Sequence, residues 1–288
     1  MDDLFDDIDG ITKDDDHEIL RAPFGYPGGK SRSVKHILPH LPYRKVYVEP
    51  FGGSGAILLA RQPSKIEVFN DRYAGVTDFY RCLKNKAMLN AVLDWLDLSV
   101  QSREEFLLCR DTWKDTEEIT ERAARWYYMT MYSFACLGRN FGRATKGPTT
   151  TAGIVNRKLK LFHKIHERFV NVIVENRNAL KLIQEFDSPD TVYYLDPPYV
   201  DAHAGTYKNE MTVDEHRELL EIIFGLEGFV AVSGFENPLY SEQAWDQVLN
   251  WNVFCSISPR AFTKGNNKER LNVYDKREQQ QEVLWIKE

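Results

Sequence analysis

Residues 45–71 constrain the fold more than any other stretch of this chain. A short β-branched and aromatic run, Lys45-Val-Tyr-Val48, leads into the loop Glu49-Pro-Phe-Gly-Gly-Ser-Gly55. Ala56-Ile-Leu-Leu-Ala60 then opens a helix, and Ile66-Glu-Val-Phe69 reads as a second strand ending at Asn70-Asp71. Strand, glycine loop, helix and strand in that order make one nucleotide-binding half of a doubly wound parallel sheet. Glycines let the backbone approach a ligand closely. An acid at the end of the next strand is placed to accept from ribose hydroxyls. The loop is not a Walker A sequence, because Gly55 is followed by Ala56-Ile57 rather than Lys-Ser or Lys-Thr. It also lacks the full dinucleotide spacing. These residues imply a nucleoside cofactor without a pyrophosphate.

A second group of sheet elements follows much later. Residues 172–174, 191–195 and 229–232 read as strands, with a helix over 179–186. Thr212-x-x-Glu215 is a capping box opening another helix. Residues 253–257 and 283–286 read as a closing antiparallel pair. The strand at 191–195 runs straight into Asp196-Pro197-Pro198-Tyr199. The prolines fix φ and remove two backbone donors, which leaves their carbonyls free to accept. A carboxylate beside a rigid carbonyl is a double acceptor for an exocyclic amine. Tyr199 adds a flat face for a planar base. Ligands of open α/β sheets lie at the carboxyl ends of the strands, so the glycine loop, Asp71 and Asp196 are expected on one edge.

Between the two groups the pattern is helical, and its charge is uneven. The whole chain carries −6, but residues 1–18 alone hold nine acids and Lys13. That acidic stretch has too few apolar residues to fold by itself and is expected to be disordered. Residues 122–170 carry ten bases (Arg122, Arg125, Arg139, Arg143, Lys146, Arg157, Lys158, Lys160, Lys164, Arg168) against the single acid Glu167. Such an excess points to a polyanion partner. The four cysteines are scattered and the histidines form no ligand set, so no metal site is expected. With no apolar run of about 20 residues and an acidic N-terminus unlike a signal peptide, a cytoplasmic protein is expected.

Taken together, Tyr26-Pro-Gly-Gly-Lys30, Glu49-Pro-Phe-Gly-Gly-Ser-Gly55, Asn70-Asp71 and Asp196-Pro-Pro-Tyr199 resemble, in that order, the Dam-like (D12 class) DNA adenine-N6 methyltransferases, with phage-type features after the catalytic motif. The resemblance covers nearly all of residues 20–288. It implies an α/β fold: a Rossmann-like methyltransferase sheet (19–80 and 171–288) with an inserted, mainly helical target-recognition domain (81–170). It implies S-adenosyl-L-methionine as cofactor and double-stranded DNA as partner. Tyr26, Gly29, Lys30, Glu49, Phe51, Gly52, Gly53, Ser54, Gly55, Asp71 and Asp196 would hold the cofactor. Asp196, Pro197, Pro198 and Tyr199 would be catalytic.

Ser133-Phe-Ala-Cys-Leu-Gly-Arg139-Asn140-Phe-Gly-Arg143 is similar to the family's DNA-contacting hairpin. Arg139 and Arg143 would contact bases or phosphates, and Asn140 an adenine edge. Lys146, Lys158 and Lys160 would grip the backbone. Where the family has an acid or serine before an aromatic beside the cofactor adenine, this chain reads Glu175-Asn176-Arg177. Asn176 is the expected adenine contact there. The rival readings are a cytosine-N4 or RNA amino-methyltransferase, and a catalytically inactive DNA-binding relative. The acidic tail is consistent with solvation, with DNA mimicry, or with a sliding-clamp contact through Leu4-Phe5. The recognition sequence, the oligomeric state and any paired restriction enzyme are not set by these residues.

Overall fold

The computed structural model describes residues 18–142, 151–200, 210–254 and 279–288. Arg143, Lys146, Leu4 and Phe5, named above, lie outside them. Seven strands form one sheet: β1 (Val46–Glu49), β2 (Ile66–Asn70), β3 (Ile173–Glu175), β4 (Thr191–Leu195), β5 (Phe229–Phe235), β6 (Gln247–Phe254) and β7 (Gln279–Lys287). Their order is β3-β2-β1-β4-β5-β7-β6. The first five run parallel, while β7 is antiparallel to both β5 and β6. This is the Rossmann-like sheet expected from the sequence.

Every residue of β4 is buried, as a parallel strand covered on both faces requires. Alternation sorts the side chains between two cores. Tyr47, Phe69, Val192, Tyr194, Ala231, Leu284 and Ile286 point to one face. Val48, Val68, Tyr193, Leu195, Val232, Val283 and Trp285 point to the other. Helices α9 (Ala179–Glu185), α10 (Val213–Gly225) and α11 (Pro238–Ser241) cover the second face. Thr212 opens α10 with the reciprocal capping box expected from its sequence.

The first face is covered by a longer helical series. It comprises α1 (Val34–Ile37), α2 (Ala56–Ala60), α3 (Ala74–Lys84), α4 (Lys86–Asp97), α5 (Arg103–Thr112), α6 (Ile119–Met131), α7 (Thr151–Leu159) and α8 (Phe162–Phe169). Phe79, Trp126, Tyr127 and Phe162 share one core with Tyr47 and Phe69 of the sheet. Tyr80 of α3 stacks on Phe169 of α8 with centroids 4.4 Å apart. The boundary expected at residue 80 falls inside α3, whose flanking residues are buried together.

Two elements differ from expectation. The helical pattern expected between the two groups of strands is broken between α7 and α8 at Lys160-Leu161. Strand β6 begins at Gln247, well before residue 253. It is an edge strand in which half-buried Leu249, Trp251 and Val253 alternate with exposed Val248, Asn250 and Asn252, so its apolar alternation is blurred.

Candidate active site

The carboxyl ends of the adjacent strands β2, β1 and β4 bring the three motifs to one edge. Close packing shapes the glycine loop. A Cβ on Gly52 would sit 2.2 Å from the Phe69 ring, and Gly55 enters α2 at φ +66°. Gly52 N–H donates to the Asn70 carbonyl at 2.8 Å. Asp71 Oδ2 accepts from Gly53 N–H at 2.8 Å, and its Oδ1 from Tyr73 N–H at 2.7 Å. Asn70 bonds the Pro50 carbonyl at 2.8 Å and accepts from Arg177 N–H at 2.8 Å. Asn70-Asp71 therefore clamps the loop to β2 and to the segment after β3. Burial pushes the Asp71 carboxyl up to about 6, against the pull of its two backbone donors.

Asp196 sits at the end of β4 beside a buried ammonium. Lys30 Nζ lies 2.5 Å from its Oδ1, and Ser233 Oγ of β5 donates to the same oxygen at 3.0 Å. No partner among the described residues falls on Oδ2. The side chain keeps 18% of its surface exposed, so one face is open to a ligand. Desolvation raises the Asp196 carboxyl to about 6, with Lys30 opposing. Lys30 also donates to the Gly28 carbonyl at 2.9 Å and the Tyr199 hydroxyl at 2.8 Å. Tyr199 in turn donates to Glu282 Oε1 at 3.2 Å, and its ring meets Phe235 edge-on at 4.4 Å.

Two cavities flank this motif and share Pro197 and Pro198 as a common wall. The first, about 860 Å³ including its mouth, is within the usual range for small-ligand clefts. Tyr26, Gly29, Phe51, Gly52, Gly53, Ser54, Asp71 and Asp196, all named above as cofactor residues, line it. The second is aromatic, with Tyr199, Phe235, Tyr240 and Trp285 in its walls. The buried Trp285 Nε1 has no partner among the described residues.

Four expected cofactor residues do not line the first cavity. Lys30 reaches Asp196 instead. Glu49 is buried behind the loop, where it accepts from Tyr47 at 2.8 Å and burial pushes its carboxyl up to about 8. Gly55 begins α2. Asn176 donates to the Asp71 carbonyl at 2.7 Å; Asn178, the N-cap of α9, lines the cleft in its stead. Sequence reasoning did not single out Ser33, Asn178 or Ser233, nor the contacts of Glu282 with Lys30 and Tyr199. Glu282 carried a readable signal: an acid opening the apolar run Val283-Leu-Trp-Ile286 must find partners if that strand is buried.

The hairpin is present at residues 133–142, with Ser133 bridged to Phe141 and Phe134 N–H donating to the Asn140 carbonyl at 2.8 Å. Ala135 and Cys136 both hold positive φ in its turn. Arg139 and Asn140 are exposed. The basic excess of residues 122–170 is partly consumed inside the protein. Arg122 pairs with Asp78, Arg125 with Glu121, Lys164 with Glu18 and Arg168 with Glu67. Lys158, expected on phosphate, donates instead to the Ala22 carbonyl, and burial lowers its basicity. Arg157 and Lys160 remain exposed.

Comparison with known proteins agrees with this geometry. The chain is 24% identical over 274 residues to the DNA adenine methylase of Escherichia coli, covering 88% of this chain and 95% of that protein. It is 24% identical over 213 residues to the DNA adenine methylase of Vibrio cholerae, covering 70% and 75%. A type II methyltransferase of Methanocaldococcus jannaschii matches at 23% over 194 residues, covering 60% and 67%. A family model matches residues 26–238, the span that contains the lysine turn, the glycine loop and Asp-Pro-Pro-Tyr, and the chain accordingly belongs to the D12 class N6 adenine-specific DNA methyltransferases.

Proposed function

We propose that this enzyme transfers a methyl group from S-adenosylmethionine to the N6 amine of an adenine turned out of duplex DNA. The observation that carries the reading is the wall shared by the two cavities. The Asp196-Pro-Pro segment separates a cleft under the glycine loop from an aromatic cavity, so a cofactor and a base on either side would meet at Asp196.

The chemistry of the first cleft suits this cofactor. Among the described residues its ionisable lining is Asp71, Asp196, Glu210 and Glu215 against Arg72, and Arg72 lies 3.8 Å from Glu215. A wall rich in carboxylates favours a sulfonium and an ammonium over a pyrophosphate. Phe51, Leu180 and Asn178 would surround the adenine moiety, and Asp71 and the loop amides the ribose and methionine. When bound, the cofactor supplies an already activated methyl group.

The remaining work falls to this chain. Asp196 and the Pro197 carbonyl accept hydrogen bonds from the target N6 amine and stabilise the positive charge that develops on it. The open Oδ2 of Asp196 is the acceptor, since Lys30 and Ser233 both address Oδ1. Tyr199 presents its ring to the base, with its hydroxyl held by Lys30 and Glu282. Extrusion of the base from the duplex is required for that contact. The hairpin at 133–142, on the 81–170 segment, contributes base recognition through Arg139 and Asn140. Sequencing of methylated bases in DNA from cells expressing the protein tests this: modified adenine in a fixed motif is expected, and modified cytosine alone would overturn it.

A further inference from the structure

We propose that Glu282, on the antiparallel strand β7, is a positioning residue for the methyl-transfer centre. It holds the Lys30 ammonium and the Tyr199 hydroxyl, and through Lys30 it sets how strongly Asp196 accepts a hydrogen bond. The inference rests on the reading of Asp196 as the acceptor of the target amine.

Glu282 is only 4% exposed, so its carboxylate must be held by the protein. Oε2 accepts from Ser33 Oγ at 2.5 Å, and Oε1 accepts from Tyr199 at 3.2 Å and lies 3.3 Å from Lys30 Nζ. One carboxylate thus ties together the lysine turn, the catalytic loop and the last strand of the sheet. Ser33 is buried as well, and Trp251 of β6 reaches its hydroxyl at 3.4 Å.

The direction of each bond matters. The Lys30 ammonium has short contacts to Gly28 O, Asp196 Oδ1 and Tyr199 Oη. Glu282 therefore acts on it through charge and through Tyr199, whose hydroxyl accepts from Lys30 and donates to Glu282. That relay fixes the tyrosine hydroxyl, and with Phe235 at its edge it fixes the ring.

The cluster also has a charge balance. One cation lies between two carboxylates, Asp196 at 2.5 Å and Glu282 at 3.3 Å. An ammonium paired with Asp196 alone would draw charge from it and weaken it as an acceptor. A second carboxylate on the same ammonium counteracts that pull. Among the described residues the other groups facing Asp196 are Glu49 at the end of β1 and Tyr194 on β4, both buried, with neutral Ser233 from β5. Glu210, Glu215 and Arg72 stand around the cleft that Asp196 lines. Among the described carboxylates, Glu282 shares Lys30 with Asp196.

The test is single-turnover methyl transfer to a target duplex across pH, with saturating cofactor, for the parent protein, Glu282→Gln and Glu282→Asp. Glu282→Gln keeps the shape and removes the charge. Its rate is expected to fall by about tenfold or more, a barrier change of about 1.4 kcal/mol. The acid limb of its profile moves to lower pH, because Asp196 loses the neighbour that raises its pKa. Cofactor affinity by calorimetry stays within about twofold. Glu282→Asp restores the position of the acid limb. A parent-like rate with an unmoved limb in Glu282→Gln overturns the proposal, as does a slower rate with an unmoved limb. If Glu282→Gln does not fold, Ser33→Ala carries the test. It frees one oxygen of Glu282 without changing charge, so a slower rate with an unmoved limb is expected, and a parent-like rate overturns the proposal. Asp196→Ala distinguishes the two levels. Activity in that variant removes the acceptor reading itself, whereas its loss together with an unaffected Glu282→Gln removes only Glu282.

Discussion

At the carboxyl edge of the sheet, residues far apart in sequence converge: Lys30 and Asp196, separated by 166 positions, meet at 2.5 Å. Between β2 and β3 the opposite happens. Of the ten bases crowded between residues 122 and 170, Arg122, Arg125 and Arg168 pair with acids outside their own segment. Parallel strands force their carboxyl ends together, so motifs at those ends report a place. A charge count along a helical series reports no face, because the partners that neutralise it come from elsewhere in the chain.

The sharpest way to break this contrast is at the edge itself. Asp196→Ala is expected to lower methyl transfer at least about a hundredfold, since a lost transition-state charge contact costs roughly 3 kcal/mol or more. Cofactor affinity should be largely retained. Lys30 would keep Glu282 at 3.3 Å, so the ammonium is not left alone in the interior. In the parent protein the rate should fall as pH drops through about 6, where Asp196 takes up a proton and loses its acceptor. Retention of more than about one per cent of activity in the variant would falsify the role.

The hairpin tests whether the insertion reads sequence at all. Arg139→Ala and Asn140→Ala should each reduce discrimination between a target and its single-base variants by about 1–3 kcal/mol, the worth of a bidentate base contact. Methylation rates on such a panel measure it. Equal losses on every duplex would mean that the exposed hairpin only grips phosphate.

Asp71 sharpens the comparison from the cofactor side. Asp71→Ala should weaken S-adenosylmethionine binding by about tenfold or more, through lost charge-assisted hydrogen bonds. The variant acts partly through the loop, because Asp71 holds the Gly53 amide. Unchanged affinity by calorimetry would take Asp71 out of the site.

What was legible in the sequence follows the same division. The parallel strands, the glycine loop and the cleft lining were readable because short apolar runs end in residues with few alternatives: glycine at a close approach, proline without a donor, an acid at a strand end. The ion pairs of Lys30 were not legible. Its turn sits next to the glycine loop, but a buried ammonium goes to the nearest buried carboxylates, and those lie on β4 and β7. Asn176 and Asn178 are not told apart by sequence because both follow the end of β3 within three residues. Only the start of α9 shows that the second one faces the cleft as its N-cap. Glu282 was visible only as an acid out of place in an apolar strand.

The smallest effects separate charges that face DNA from charges the fold has used. Lys160 and Arg157 are exposed on either side of the end of α7, whereas Lys158 between them is tied to the Ala22 carbonyl. Lys160→Ala or Arg157→Ala should weaken binding to all duplexes alike and flatten the slope of log K against log salt by about 0.9 per lost phosphate contact. Lys158→Ala should leave that slope unchanged. It should instead cost about 0.5–1.5 kcal/mol of stability, the net worth of one internal hydrogen bond, and lower the melting temperature by a few degrees. Binding isotherms at two salt concentrations, with a thermal melt of each variant, measure both. If Lys158→Ala flattens the salt slope as much as Lys160→Ala, its ammonium leaves Ala22 when DNA arrives, and the count of ten bases was the better guide to the interface after all.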